Sequence, residues 1–178
     1  ECEAKPKNIQ CIGDTLMVYG DTGNDTIVID TFQFIFPDIV ASTASFIGYF
    51  NKDGNLIKMN FFGFPYSSCA SSMDIPSTQL MYSGGSFMKD CIFNGDTFHS
   101  SQNGDAYIIK HTPDGGIEWV RHTTSPGYNY PKSISVDPSG GVYLAGVFSD
   151  TTIFGNDTLV SVANQDKYVA HYSADGEV

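Results

Sequence analysis

The chain has 178 residues, of which 13% are aromatic, 16% are charged and 18 are glycines, a composition typical of strands and turns rather than helices. The formal net charge of −11 argues against nucleic acid and anionic membranes as partners, because an acidic surface repels phosphate groups. No apolar segment approaches the ~20 residues that a membrane-spanning helix requires, so membrane insertion is not expected.

One pattern recurs along the chain with a period of 61 residues. Each copy begins with an aromatic residue and ends with Asp-Gly. The aromatic residues are Phe46, Tyr107 and Tyr168, and the closing pairs are Asp53-Gly54, Asp114-Gly115 and Asp175-Gly176. A repeat of this length indicates one supersecondary module copied in tandem. It divides the chain into a divergent first unit at 1–62, a second unit at 63–121 and a third unit at 122–178.

The first unit is the least regular copy. Its first turn is expected at 11–14, its second strand at 15–20 and its fourth strand at 56–62. Between the second and third strands this unit is five residues longer than the other two, and an insertion at 36–40 accounts for the difference.

Two features of the sequence could bind calcium. Residues 20–28 nearly match the nonapeptide of a calcium-binding β-roll, but they form a single copy with Asp21 in place of the second glycine, so a polar loop before a strand is favoured. The Asp-Gly pairs could supply oxygen ligands, of which calcium needs six to eight. Their recurrence in every unit favours tight turns instead. We therefore expect no cofactor, with calcium as the alternative.

The strand pattern is clearest in the third unit. Its predicted elements are a strand at 132–137, a turn at 138–141, a strand at 142–148, an excursion at 149–165 and a strand at 168–173. The fourth strand of the pattern is visible in the second unit at 117–121. The third unit reaches Val178 soon after its Asp-Gly turn and is expected to be incomplete at its last strand.

Four antiparallel strands that are joined in sequence order make one blade of a β-propeller. The sequence therefore predicts an all-β protein of tandem four-stranded antiparallel blades, each of about 61 residues. Two blades and most of a third do not close a ring, which takes four to eight blades. We expect part of a larger β-propeller, or an open array of blades, whose ends are covered by further blades of the same protein or by a protein partner.

Three segments resemble the SBBP-type β-propeller repeat. One is Asp105-Ala-Tyr-Ile-Ile-Lys-His-Thr-Pro-Asp-Gly-Gly-Ile-Glu-Trp119, and the others lie at 135–146 and 152–161. The resemblance is strongest over 105–178 and weakest over 1–43. Repeats of this type are common in large secreted or surface-attached bacterial proteins, notably of the Bacteroidota. The resemblance implies a scaffold that is secreted or held at the cell surface, with no fixed enzymatic activity.

Four cysteines, Cys2, Cys11, Cys69 and Cys91, allow three pairings. None recurs at the equivalent position of the next unit, which favours disulfides within a single unit. We predict Cys2–Cys11 and Cys69–Cys91 disulfides. A zinc site is the alternative, but the spacing lacks the close pairs that such sites use. Disulfides would place the protein outside the cytoplasm.

Aromatic residues recur in the segments that connect blades. In a blade, the connections between second and third strands lie on the same face as the crossings between blades. That face is expected to carry Tyr66, Tyr128 and Tyr130 beside Asp, Asn, Ser and Thr. Rigid aromatics next to hydrogen-bonding side chains suit a glycan or a protein ligand. Packing of these tyrosines between blades is the alternative.

No catalytic residue and no metal ligand can be assigned from spacing. The four histidines do not recur at equivalent positions, and any choice of paired carboxylates among 20 acidic residues would be arbitrary. We therefore expect a non-catalytic extracellular scaffold or recognition module that binds a protein or glycan in adhesion or surface assembly. A polysaccharide-acting enzyme and a structural subunit of a filament or larger complex are the alternatives.

Overall fold

The structure is a computed structural model that describes residues 4–23, 26–29, 32–35, 43–77, 79–100 and 103–178, with the backbone alone at 4, 26–29, 32–35 and 64–68. Within these ranges every regular element is a β-strand, so the prediction of an all-β chain is confirmed. In chain order the strands are β1 (Ala4–Ile12), β2 (Thr15–Thr22), β3 (Thr26–Ile29), β4 (Phe32–Ile35), β5 (Ala44–Phe50), β6 (Leu56–Phe62), β7 (Phe64–Ser77), β8 (Leu80–Phe93), β9 (Asp96–His99), β10 (Asp105–His111), β11 (Ile117–Thr124), β12 (Asn129–Val136), β13 (Val142–Phe148), β14 (Thr151–Phe154), β15 (Asp157–Val160) and β16 (Asp166–Tyr172).

The chain forms three antiparallel sheets in which the first strands along the chain are neighbours in the same order. The first sheet has the order β1-β2-β5-β6. The second sheet contains β7, β8, β10 and β11 as successive neighbours, and the third has the order β12-β13-β16. Among the described residues, no helix is long and apolar enough to span a membrane.

The predicted excursions fold into β-hairpins, a feature that the sequence analysis missed. β9 pairs with the end of β8, β14 with β15, and β3 with β4. The turn between β8 and β9 is Asn94-Gly95, with φ of +53° and +87°, which is the residue pair that two-residue hairpin turns favour. β14 also pairs with the end of β11, so the hairpin of the third unit extends the edge of the second sheet.

The Asp-Gly pairs form tight turns, as the favoured interpretation predicted. Gly54, Gly115 and Gly176 have φ between +79° and +84°, a range that favours glycine. Each donates its backbone N–H to the carbonyl three residues earlier, at 3.0, 2.8 and 2.9 Å respectively. The same turn therefore ends the third strand of every sheet.

Each sheet has a β-bulge in its first strand and a glycine opposite it. The bulges lie between Pro6 and Asn8, between Ala70 and Ser72, and between Pro131 and Ser133. The glycines are Gly20, Gly85 and Gly146, and their partners on the next strand are the repeated aromatics Phe46, Tyr107 and Tyr168. A Cβ at Gly85 would overlap the backbone oxygen of Cys69 and the hydroxyl of Tyr107. Only glycine fits where the bulged strand and the aromatic ring meet.

Two hydrophobic clusters join the three sheets. The first contains residues of the first and second sheets, including Tyr19, Ile47 and Ile109. The second contains residues of the second and third sheets, including Ile108 and Leu144. The second sheet therefore has a core on both of its faces.

A hydroxyl network crosses the first cluster. The hydroxyl of Tyr107 lies 2.9 Å from that of Tyr19 and 2.8 Å from Oγ of Ser45. Tyr19 also donates to the carbonyl oxygen of Gly84 at 3.1 Å. The equivalent aromatic of the third sheet, Tyr168, has a buried hydroxyl with no hydrogen-bond partner in the described protein. The hydroxyl group at this repeat position is therefore hydrogen-bonded in the second sheet and has no partner among the described residues in the third.

The predicted Cys69–Cys91 disulfide is not formed, and both thiols are free. The strand register explains this, because Cys69 lies opposite Ser86 whereas Cys91 lies opposite Pro65, five positions further along β8. Cys91 is buried, and burial raises its pKa to about 12, so its thiol stays protonated and unreactive. Cys11 is also free. The predicted Cys2–Cys11 disulfide is therefore not formed either, although Cys2 itself lies outside the described residues.

We predict that Gly85→Ala lowers the free energy of unfolding by about 2 kcal/mol or more, because the new Cβ overpacks a site bounded by backbone. Gly23→Ala is the matched control, since a Cβ there meets only Cγ2 of Thr43 at 3.8 Å, and it should change stability by less than ~0.5 kcal/mol. Urea unfolding of both variants measures the difference. Equal stability of the two variants would refute the packing argument.

A second pair of variants tests the hydroxyl network. Tyr107→Phe should lower the free energy of unfolding by about 1–2 kcal/mol, because it removes two hydrogen bonds, one from each of its buried partners. Tyr168→Phe should be neutral or stabilising, since it removes a buried hydroxyl that has no partner. Urea unfolding again gives the comparison, and a larger loss in Tyr168→Phe than in Tyr107→Phe would contradict it.

Candidate functional site

Two of the three predicted ligand-binding tyrosines lie together at the crossing from the second sheet to the third. Tyr128 immediately precedes β12 and Tyr130 lies within it, so the two side chains project from the same side of the extended chain. Their rings stack with centroids 5.3 Å apart and an angle of 24° between the planes. Both side chains are half-buried, so each ring packs partly against the protein and is partly exposed to solvent.

Hydrogen bonds to neighbouring segments hold this pair in place. Tyr128 donates its N–H to Oγ of Ser149 at 3.0 Å and accepts a bond from the N–H of Ser149 at the same distance. The hydroxyl of Tyr130 donates to the carbonyl oxygen of Asn103 at 3.3 Å, and the Asn103 amide donates to Pro126 at 2.9 Å. We call Tyr128, Tyr130, Asn103 and Ser149 the tyrosine surface. These hydrogen bonds join three chain segments at the surface.

Asn129 lies between the two tyrosines and is fully buried. Its backbone N–H bonds to the carbonyl of Gly104 at 3.0 Å, whereas both polar atoms of its side chain lack a partner in the described protein. Because side chains alternate along an extended chain, Asn129 points away from the tyrosine rings and into the interior. It therefore belongs to the polar interior beneath the crossing and not to the ligand-facing surface.

Tyr66, the third predicted tyrosine, lies in β7 at the crossing from the first sheet to the second. The strand register shifts between Pro65 and Ser67, which places Tyr66 at a bulge. Its side chain lies outside the described part of the structure. A ligand-binding role for Tyr66 thus stays a prediction.

An open groove of about 640 Å³ lies between the first and second sheets, and the sequence analysis did not predict it. Its polar groups are already used to join the sheets: Nζ of Lys58 donates to the carbonyl of Asp114 at 2.6 Å, and the Asn60 amide donates to that of Gly115 at 2.6 Å. Asp114 is the only carboxylate among the groove's described lining residues. The tyrosine surface is the stronger candidate for specific recognition because it carries two stacked, half-buried aromatic rings.

A serine and a histidine meet in the core of the first two sheets. Oγ of Ser83 lies 2.7 Å from Nε2 of His111, and Nδ1 of His111 lies 3.0 Å from the carbonyl oxygen of Gly116. A nucleophile and a base can have this geometry. However, Ser83 is 0% exposed and His111 only 1%, so no substrate can reach them. Burial lowers the pKa of His111 to about 4, which keeps the ring neutral, so that Nε2 can accept a hydrogen bond from the Ser83 hydroxyl while Nδ1 donates to the Gly116 carbonyl.

A second such cluster lies at the turn between β12 and β13. Oδ2 of Asp137 is 2.7 Å from Nε2 of His171, and Oδ1 accepts bonds from the hydroxyl and the N–H of Ser139. The bonds from Ser139 and from His171 lower the pKa of Asp137. Oδ1 accepts its hydrogen bonds from the turn itself, which is the ordinary role of Asp at this position, and Oδ2 is paired with His171. Among the described side chains, no three of His, Cys, Asp or Glu lie close enough together to hold a metal ion.

Comparison with known proteins does not place the chain in a family. No family model matches it, and no curated protein is significantly similar to it in sequence.

The burial of His111 predicts a pH-dependent stability. The folded state holds its pKa near 4, below the unfolded value of about 6.5, so the unfolded state binds the proton more tightly between these values. Stability should be greatest above pH 6.5 and should fall by up to about 3 kcal/mol as the pH drops to 4. Urea unfolding between pH 4 and 7.5 measures this slope. His111→Gln should flatten this slope, because it removes the buried imidazole. An unchanged slope in His111→Gln would refute the assignment.

Proposed function

We propose that the chain is a non-catalytic scaffold or recognition module of an extracellular β-propeller type, and that the tyrosine surface binds its ligand. The supporting observation is the stacked, half-exposed Tyr128–Tyr130 pair, held by backbone hydrogen bonds at a crossing between two sheets. Rings that are already ordered lose little conformational entropy when a ligand binds. The repeated strand order of the three sheets supports the blade interpretation, with the third unit lacking its fourth strand.

A neutral glycan is the ligand that this surface fits best. Aromatic rings offer broad apolar contact to sugar rings, and the neighbouring Asn103 and Ser149 side chains can exchange hydrogen bonds with hydroxyl groups. The net charge of −11 disfavours sulfated or uronic-acid glycans, because like charges repel. A protein partner is the other outcome that the experiment below distinguishes.

The enzyme alternative has less support. The Ser83–His111 pair is sealed from solvent, and the exposed Asp137–His171 pair is tied to a turn. A glycosidase needs two carboxyl groups that face each other across the cleavage site. The groove between the first and second sheets offers only Asp114 among its described lining residues. The location outside the cell rests on the resemblance to secreted bacterial repeats.

Binding to immobilised neutral and anionic glycans, followed by titration calorimetry on any glycan retained, tests the proposal. Tyr128→Ala and Tyr130→Ala should each weaken binding by roughly tenfold, equivalent to about 1.4 kcal/mol. Ile153→Ala, at an exposed residue of the β14–β15 hairpin, is the control and should bind as the parent chain does. Absence of binding to every glycan would overturn the glycan proposal and leave a protein as the candidate ligand. Binding that survives both tyrosine variants would move the site elsewhere.

A further inference from the structure

One contact between a last strand and the following sheet occurs twice, at the same positions of the repeat. The Asn60 amide donates to the carbonyl of Gly115 at 2.6 Å, and Nε of Arg121 donates to that of Gly176 at 3.0 Å. Asn60 and Arg121 are 61 residues apart, as are the two glycines. The last strand of one sheet therefore holds the Asp-Gly turn of the next sheet in both cases.

The first strands of neighbouring sheets repeat a second contact. The Asn8 amide donates to the carbonyl of Met73 at 3.0 Å, and Oγ of Ser72 accepts the N–H of Ile134 at 3.3 Å. Asn8 and Ser72 occupy the same position, since each is the first paired residue after the bulge of its strand. The residues that they hold, Met73 and Ile134, are also equivalent. Side chains on one face of a first strand thus bind the first strand of the following sheet.

The apolar residues of this face are buried in the first two sheets. Ile47 and Ile108 are 61 residues apart, and each is 0% exposed within the cluster that joins its sheet to the following one. Tyr82 is also fully buried, and its hydroxyl donates to Gly140 in a turn of the third sheet at 2.8 Å. The face is therefore apolar at its centre and polar at its first strand.

The third sheet exposes the same face to solvent. Val169 is 61 residues after Ile108 and is 70% exposed, and Tyr143 is 61 residues after Tyr82 and is 45% exposed. Ser133, which is 61 residues after Ser72, is exposed as well. Residues that would bind a following sheet are present and uncovered. We call Ser133, Tyr143 and Val169 the trailing face.

The opposite face of the first sheet is the counterpart. Ile9 is 63% exposed beside Val18, and both line an open groove of about 510 Å³. By strand register, Ile9 corresponds to Met73 and Ile134, which are only 2% and 6% exposed because they pack towards the preceding sheet. Ile134 and Leu144 pack close to Gly84 of the second sheet in this way. We call Ile9 and Val18 the leading face.

We propose that the trailing face of one chain binds the leading face of a second copy, head to tail, through the contact that joins the sheets within the chain. The first-strand and apolar parts of both halves are present in one polypeptide, and each continues an interface that is formed twice internally; the third sheet has no last strand to supply the counterpart of Asn60 and Arg121. Such an association is heterologous, so it builds a closed ring if the rotation closes and a filament if it does not. It does not depend on the tyrosine surface or on its ligand. Salt should strengthen it, since every copy carries a net charge of −11.

Sedimentation velocity of the 178-residue chain over a range of concentrations tests the proposal. The parent chain should form dimers and larger species as its concentration rises. Val169→Asp places a charge on the trailing face, and Ile9→Asp places one on the leading face. Each variant alone should be monomeric, because burying the charge should weaken association at least roughly tenfold. An equimolar mixture of the two should form a 1:1 dimer that grows no further, because one intact face of each kind remains.

The control is Val162→Asp, at a residue that is 94% exposed outside both faces, and it should associate as the parent does. Circular dichroism confirms that the variants are folded. A parent chain that stays monomeric at all concentrations overturns the proposal. So does association that survives both single variants, or a mixture that remains monomeric. Tyr128→Ala should leave association intact, so that loss of the ligand and loss of self-association can be told apart.

Discussion

The close approach of three strands at a glycine is the constraint on which the architecture depends. In every sheet the first strand bulges towards the glycine of the second strand, and the aromatic ring of the third strand covers it. A bulge increases the local twist of a strand, and the ring supplies the packing that glycine lacks. Each sheet can then present an apolar face on either side. The two cores that join the sheets follow from that shape.

Polar groups decide how the stacked sheets are oriented. Apolar packing alone is non-directional, whereas hydrogen bonds from Asn60 and Arg121 to the turns of the following sheets fix position along the strands. The bonds of Asn8 and Ser72 do the same at the first strands. Because these groups recur at equivalent positions, successive sheets meet in the same way. A ligand surface placed at a crossing, such as the tyrosine surface, thereby gains a fixed geometry.

Much of the fold could be predicted from the sequence because its determinants are local or periodic. The Asp-Gly turns and the strand at 142–148 follow from turn chemistry and alternation, and the structure has them at those positions. The hairpins within the excursions were missed although Asn94-Gly95 is a hairpin signal, because long polar segments conceal short strands. The Cys69–Cys91 pairing was wrong because a pairing depends on register, and register is set by bulges that the sequence does not reveal. The stacking of Tyr128 on Tyr130 depends on the loops that hold them, which lie far apart in the sequence.

The repeated contacts also restrict how such a chain can change in length. Asn60 and Gly115, like Arg121 and Gly176, belong to adjacent units and are 55 residues apart. Loss or gain of a whole 61-residue unit leaves every remaining contact with a partner of the right kind, because each unit touches only its neighbours. Loss of one residue within a strand reverses which side chains face the adjoining sheet. Evolution of this chain should therefore proceed by duplication and deletion of entire units, with smaller insertions confined to the excursions between second and third strands.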